Sequence, residues 1–278
     1  MAILWADSGA TKTTWKLIEK DKRKPEWIHT QGINPNYLGK EQITNILETE
    51  LLPTLNNTIS EIRFYGSGCS QEKAKTKLRK ALAELFPVAK LTIDTDLVGA
   101  FEAVRSDDPA WVCILGTGAN ACVMDKGKIV YQNISLGYIL GDEGSGQDIG
   151  KQLLRAYFLE QMPLHLRSEW EATYALDYTE FLENVYQSSK PNVWMASFSP
   201  FAKKHIQDPF IERLVMCCLN NFVSTYILPQ KKFLHLNIHF VGSVAFHFKE
   251  QLQKVCSNHS LLLGKVIQAP IAHWKANS

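Results

Sequence analysis

The stretch WVCILGTGANACVMDKGKIVYQ, residues 111–132, restates in outline one near the start of the chain, AILWADSGATKTTWKLIE, residues 2–19. Each runs from an apolar strand into a turn built on a hydroxyl and a glycine, then into a second strand. Aligning DSGAT (7–11) with GTGAN (116–120) sets Ser8 on Thr117, Gly9 on Gly118 and Ala10 on Ala119. DKGK (125–128) is a hairpin signal leading to a third strand, and PEWIHT (25–30) supplies a third strand for the first copy. Few letters match, yet the order of strand, turn and strand is the same around both. Such a repeated unit implies a duplicated domain core.

Outward from the two copies, strands and helices alternate. The first half predicts a helix over 40–52 stopped by Pro53, a strand over 61–68, a helix over 72–85, a strand over 90–94 and a helix opening near Asp96. The second predicts helices over 145–160, 168–187 and 209–228 up to Pro229. It closes with the alternating strand LHLNIHF (234–240), the turn VGSVA (241–245) and a helix over 245–256. This alternation is the mark of an α/β fold. The 278 residues are comfortable for two domains sharing a cleft. The expected lobes are 1–108 and 109–278, parted near the polar RSDDPA (105–110), with a return of the last residues to the first lobe left open.

Charge is nearly balanced, 30 basic residues against 28 acidic, so no long-range field argues for nucleic acid or an anionic membrane surface. The one dense basic stretch, EKAKTKLRKALAEL (72–85), sets Ala74, Leu78, Leu82 and Leu85 at helical spacing, and its lysines form the wet face of a surface helix. Six cysteines, at 69, 113, 122, 217, 218 and 256, lack metal-type spacing, and no secretory leader is evident; reduced thiols and a cytoplasmic location are expected. No apolar run approaches the roughly 20 residues that span a bilayer, so a soluble protein is expected. His235, Asn237 and His239 would share a strand face, as a metal pair or, without a third ligand, as a polar sheet face. GSGQDIGKQ (144–152) imitates a P-loop, but Ser145 stands where glycine is required and Gln152 where Ser or Thr follows the lysine.

Hydroxyl- and glycine-rich turns can offer backbone N–H groups and short hydroxyl donors to phosphate oxygens, and glycine lets the backbone come close. Lys12 adds a point charge, and Asp7, at a strand end, is placed to hold magnesium through water. The plain alternative is an ordinary β-turn with a solvated lysine. Two matched turns, which twofold-related halves would bring face to face across an interdomain cleft, together with the glycine turn VGSVA, favour phosphate.

Five segments in order carry a resemblance: DSGATKT, DTDLVGA (94–100), ILGTGAN (114–120), LGYILGDEGSG (136–146) and FVGSVA (240–245). Together they resemble the BadF/BadG/BcrA/BcrD ATPase family, and within it the N-acetylglucosamine kinase branch of the sugar kinase, Hsc70 and actin superfamily. The resemblance covers nearly the whole chain. It implies two ribonuclease-H-like (actin-like ATPase) domains with ATP and magnesium in the cleft, and phosphoryl transfer to the 6-hydroxyl of an amino sugar. By this likeness Asp7, Gly9, Thr11, Lys12 and Thr13 belong to a first phosphate loop, with Asp7 toward the metal. Gly116, Thr117, Gly118 and Asn120 belong to a second, and Gly242 and Ser243 lie against adenosine. Asp96 matches the catalytic aspartate and touches the sugar; Asn36, in GINPNYL, and Asp142, in GDEGSG, match sugar-contacting positions.

The residues themselves leave other roles open. Asp96 could cap a helix, with Asp94 a purely structural acid; Asp142 and Glu143 could cap the helix they precede; Asn36 could be a turn residue. Ala119 stands where the family commonly has serine, and Ala272 where relatives often have glycine. The cysteine ligands of the family's iron–sulfur dehydratase activators are not visible. The acceptor is N-acetylglucosamine or a relative: N-acetylmuramic acid, glucosamine or glucose. The partners expected are therefore a small-molecule sugar and ATP, with a homodimer left open; the rival is a non-catalytic sugar or nucleotide sensor on the same fold.

Overall fold

Strand β1 (Ala2–Ser8) sets Ala2, Leu4, Ala6 and Ser8 on one face and Trp5 and Asp7 on the other, and all but Ile3 and Asp7 are fully buried. A strand covered on both faces belongs in the middle of a sheet. β1 pairs antiparallel with β2 (Lys12–Glu19), and β2 with β3 (Glu26–Gln31), as short polar turns allow. It pairs parallel with β4 (Ile59–Gly66), and β4 with β5 (Lys90–Thr95), giving the order β3-β2-β1-β4-β5. The computed structural model describes residues 2–9, 11–19 and 22–274, so the alignment of Ala10 with Ala119 lies outside the described residues.

Parallel neighbours need crossovers, and helices supply them. α1 (Lys40–Ile46) leads toward β4; it is not stopped cleanly by Pro53 but loosens into a π-turn over Leu47–Leu51 and a 3-10 turn over Leu52–Thr54 that contains the proline. α2 (Glu72–Leu85) lies between β4 and β5 with Ala74, Leu78, Ala81 and Leu82 buried, so its lysine-rich side is the outer one. α3 (Asp96–Val104) follows β5 directly.

The second sheet repeats this wiring. β6 (Ala110–Leu115), β7 (Ala119–Asp125) and β8 (Lys128–Gln132) form the antiparallel meander, turned at Lys126 and Gly127 with φ of 46° and 77°. β9 (Asn237–Val241) joins β6 in parallel and β10 (Leu262–Ile267) joins β9, giving β10-β9-β6-β7-β8. Strand for strand, the order and the directions are those of the first sheet: the core is duplicated. Between β8 and β9 come α4 (Gly137–Leu140), α5 (Gly146–Phe158), α6 (Leu164–Tyr174), α7 (Tyr178–Tyr186), α8 (Pro191–Ala196), α9 (Ser199–Lys204) and α10 (Pro209–Phe222). α11 (Ser243–His247) and α12 (Lys249–Asn258) lead on to β10.

The chain divides into a first unit, Met1–Arg105 with Pro270–Ser278, and a second, Ser106–Ala269. In the first, Trp274 packs against Trp5 and Tyr65, with ring centroids 6.3 and 4.8 Å away. Lys16, almost fully buried, donates to the carbonyls of Ile271 (3.3 Å) and Trp274 (3.1 Å).

Several predicted elements are corrected. The helix over 168–187 is two, because Ala175 turns left-handed at φ 45° and Asp177 caps the new start by accepting the Glu180 N–H at 2.8 Å. The strand over 234–240 begins only at Asn237, so His235 shares no strand face with His239. His239 is buried and its Nδ1 accepts the Lys265 N–H at 2.8 Å; no cluster of three or more His, Cys, Asp or Glu side chains suited to a metal occurs among the described residues. The predicted helix over 245–256 is the pair α11 and α12. No helix among the described residues is long and apolar enough to cross a membrane.

Candidate active site

In the first unit the turn after β1 is anchored from below. The hydroxyls of Ser8 and Thr13 are buried 2.7 Å apart, and the Ile33 N–H donates to both, at 3.1 and 3.2 Å. Thr13 also donates to the Gln31 carbonyl at 3.1 Å. Thr13, expected in the phosphate loop, thus has its hydroxyl turned into the fold, tying the turn to the chain after β3. At the rim Gly9 donates its N–H to the Lys12 carbonyl at 3.0 Å, and Gly9, Thr11 and Lys12 are exposed.

β1, β4 and β5 are parallel, so the carboxyl ends of all three lie along one edge, the edge at which α/β sheets hold ligands. Asp7 is there, partly buried, in register with Tyr65 of β4. Asp96 is the first residue of α3, just past β5. Burial, and then the Asp96 charge, push the Asp7 carboxyl up to about 7 while Lys12 pulls it down. Burial likewise pushes Asp96 up to about 6, against backbone hydrogen bonds that favour its charged form.

Asp96 is not the helix cap. Thr95 is, its hydroxyl accepting the Val98 N–H at 3.4 Å, whereas Asp96 Oδ1 accepts the adjacent Leu97 N–H at 2.9 Å. Asp94 is structural, taking the Lys75 ammonium at 3.1 Å and the Thr95 N–H at 2.9 Å. Asn36 sits exposed in a turn whose Asn34 Oδ1 accepts the Asn36 N–H at 3.0 Å. That turn is held by Lys77, which donates to the Pro35 and Leu38 carbonyls at 2.6 and 2.8 Å. Gly68, at φ 82°, packs so tightly that a Cβ would lie 2.0 Å from Asn34 Oδ1.

In the second unit the turn between β6 and β7 closes with the Gly116 N–H on the Gly118 carbonyl at 3.0 Å. It is welded to the start of α5: the Gly146 and Gln147 N–H groups donate to Gly116 and Thr117 carbonyls at 2.8 and 3.1 Å. Asp142, left-handed at φ 64°, accepts the Ala119 N–H on Oδ1 at 2.9 Å, and burial raises its carboxyl above the usual range. Asn120 Oδ1 accepts the Ala121 N–H at 2.9 Å. Ser145 caps α5, accepting the Asp148 N–H at 3.3 Å, so capping is the role of neither Asp142 nor Glu143. Both acids converge on Tyr226, whose hydroxyl donates to the Glu143 carboxylate and accepts the Asp142 N–H at 3.1 Å. Sequence reasoning missed Tyr226, which no local pattern marks. Gly242 takes φ 124°, and a Cβ there would lie 2.2 Å from the Leu115 carbonyl oxygen; Ser243 opens α11 and is exposed.

Two units with identically wired five-stranded sheets, each carrying a glycine turn between its first two strands, define the actin-like ATPase fold of the sugar kinases. No family model matches the chain. A solved structure from Porphyromonas gingivalis, provisionally named an N-acetylglucosamine kinase, is 36% identical and superimposes with a TM-score of 0.91 over 97% of this chain and 95% of that one. The chain belongs to the family of that protein, the N-acetylglucosamine kinase branch of the BadF-like sugar kinases. A Chromobacterium violaceum structure with the same provisional name, 16% identical, shares the fold at a TM-score of 0.70 over 96% of this chain and 95% of its own. A Clostridium acetobutylicum N-acetylmuramic acid/N-acetylglucosamine kinase is 24% identical over 160 residues, 55% of this chain; the match spans about half of that relative, 52% of its length.

Proposed function

We propose that the protein transfers the γ-phosphoryl group of ATP to the 6-hydroxyl of N-acetylglucosamine or a close relative, releasing ADP and a sugar 6-phosphate. The observation that carries this is the placement of Asp7 near the end of β1 and Asp96 just past β5, at the same carboxyl edge of the first sheet, two acids that burial pushes up to about 7 and about 6. Phosphoryl transfer asks a protein mainly for positioning and charge neutralisation, plus a group that takes the attacking hydroxyl's proton. A carboxylate poised near neutral pH is suited to that proton. Asp96 is the base in this reading, ionised at pH 7 and free of the cap role that Thr95 fills.

Asp7 fits a magnesium ion. Mg²⁺ keeps much of its water shell and takes one or two protein carboxylates beside the nucleotide phosphates, and a desolvated acid that also feels the charge of a second acid is the donor such an ion relieves. When bound, the ion neutralises charge on the transferring phosphate. Gly9, Thr11 and Lys12 offer the β1–β2 turn to phosphate, and Gly116, Thr117, Gly118 and Asn120 offer the β6–β7 turn. Gly242 and Ser243 are assigned to the adenosine. Asn36 and Asp142 are assigned to the sugar. The activity for which the Clostridium relative is named supports the acceptor class.

The test is ADP release with N-acetylglucosamine, N-acetylmuramic acid, glucosamine and glucose. Turnover with an N-acetylated amino sugar is expected. No turnover with any of the four would overturn the kinase in favour of a non-catalytic sensor.

A further inference from the structure

Helices α5 and α10 of the second unit border a cavity of about 340 Å³ that includes none of the residues assigned to phosphate, adenosine or sugar. Its lining holds two arginines, Arg155 and Arg213, and no acidic side chain. Both are exposed, and neither guanidinium has an ion-pair or hydrogen-bond partner among the described residues. Asp148, whose carboxylate faces the lining Cys218, is engaged by the Gly144 N–H at 3.0 Å, the lining Gln152 amide at 3.3 Å and the Lys151 ammonium at 3.7 Å; Glu212, beside Arg213 in the chain, is paired with Lys254, and Glu160, beside Gln161, with Arg167.

In a chain of nearly balanced charge, two unneutralised guanidiniums on one concave surface are a built preference for an anion. A guanidinium presents paired donors that match phosphate geometry. Two of them match a dianion; a monocarboxylate would leave one unmet. The rest of the lining fixes the body of the ligand: the amides of Gln161 and Asn221 offer donors and acceptors, and Phe210 and Leu214 offer a half-buried apolar wall. The volume lies at the small end of the ligand-site range, room for a body of hexose size.

We propose that this groove is a second ligand site, which binds the phosphate monoester of a small polar molecule through Arg155 and Arg213. The sugar 6-phosphate formed by the reaction proposed above belongs to that class, and only this last clause rests on that reading.

Cys217 lines the same groove and is the one exposed cysteine of the six, so its alkylation reports on occupancy. The experiment measures the rate at which neutral iodoacetamide modifies Cys217 in the full chain, read by mass spectrometry. The probes are N-acetylglucosamine 6-phosphate, glycerol phosphate, inorganic phosphate and uncharged N-acetylglucosamine. Saturable protection by the monoesters is expected, weaker by inorganic phosphate and absent with the neutral sugar. Arg155→Gln and Arg213→Gln should each raise the protecting concentration about tenfold, the loss of one charge-assisted contact. Protection should persist in Asp96→Asn, so a failed kinase reading and a failed groove are told apart. An unchanged alkylation rate with every monoester overturns the proposal, as does protection that survives both arginine changes together. Protection that rises with protein concentration and ignores the monoesters places a second copy in the groove and also overturns it.

Discussion

Trp274 donates its indole N–H to the carbonyl of Gly99 across 2.7 Å, in the helix that begins at Asp96. The approach is possible only because residue 99 has no side chain: a Cβ there would lie 2.7 Å from Tyr65 Cβ and 2.9 Å from Trp274 Cζ2. Asp7 lies on the same face of β1 as Trp5, which Trp274 also touches. One indole therefore braces both elements that carry the two acids.

Trp274→Ala should cost about 3–5 kcal/mol of stability, the usual loss for an emptied aromatic site. Trp274→Phe keeps much of the packing and removes only the donor, with a cost near 1 kcal/mol. Thermal melts of both variants check this, and equal losses would show that the ring's bulk is irrelevant. Gly99→Ala should destabilise as well, although alanine is the better helix former by roughly 1 kcal/mol; a rise in Tm would show that the contact can relax.

Asp96→Asn should lower turnover about 10²- to 10⁴-fold, the range for loss of a positioned general base. Nucleotide should still bind by calorimetry, and stability should not fall, because Thr95 rather than Asp96 caps α3. Turnover within twofold of wild type would move the base elsewhere.

Asp7 gives a pH signature. Its folded pKa is about 7 against an ordinary 3.8, so between those values the folded protein holds a proton that the unfolded chain has released. The stability linked to this group is present below about pH 4 and is lost as pH rises through about 7. Asp7→Asn cannot ionise and escapes that loss. It should melt several degrees above wild type at pH 8 and level with it at pH 4. Magnesium should raise the Tm of wild type at pH 8 more than that of the variant.

Asp142 should separate charge from scaffold. Asp142→Ala leaves the buried-side Ala119 N–H without its acceptor, at about 1–3 kcal/mol, and asks alanine to stay left-handed. Asp142→Asn keeps an acceptor and tolerates that backbone. The alanine variant should therefore lose both stability and nucleotide affinity, the asparagine variant chiefly sugar affinity. Equal melting temperatures for the two would show that the Ala119 bond carries no stability.

What the sequence discloses is what is local. The strand–turn–strand signals, the apolar spacing of 72–85 and the Lys126–Gly127 hairpin each lie within a short stretch of chain, and the structure has them there. The break at Ala175 was illegible because a left-handed alanine carries no residue signature. β10, LLGKVI, is absent from the predicted elements because an edge strand with a glycine lacks a clean alternation. At the candidate site, the inward turn of Thr13 depends on Ile33, and the grip on Asp142 and Glu143 depends on Tyr226, more than 80 positions away along the chain. Contacts of that span are written by the topology, not by neighbouring letters.

Lys16 is almost buried beside the rings of Trp5 and Trp27, and its ammonium is satisfied by the carbonyls of Ile271 and Trp274. Those acceptors lie beyond the entire second unit in the chain. On the ribosome, the first sheet therefore emerges with a cation and an aromatic hollow whose covers have not been made. It can pair its strands, but it reaches its finished state only when residues 270–274 arrive, so the half translated first is the half completed last.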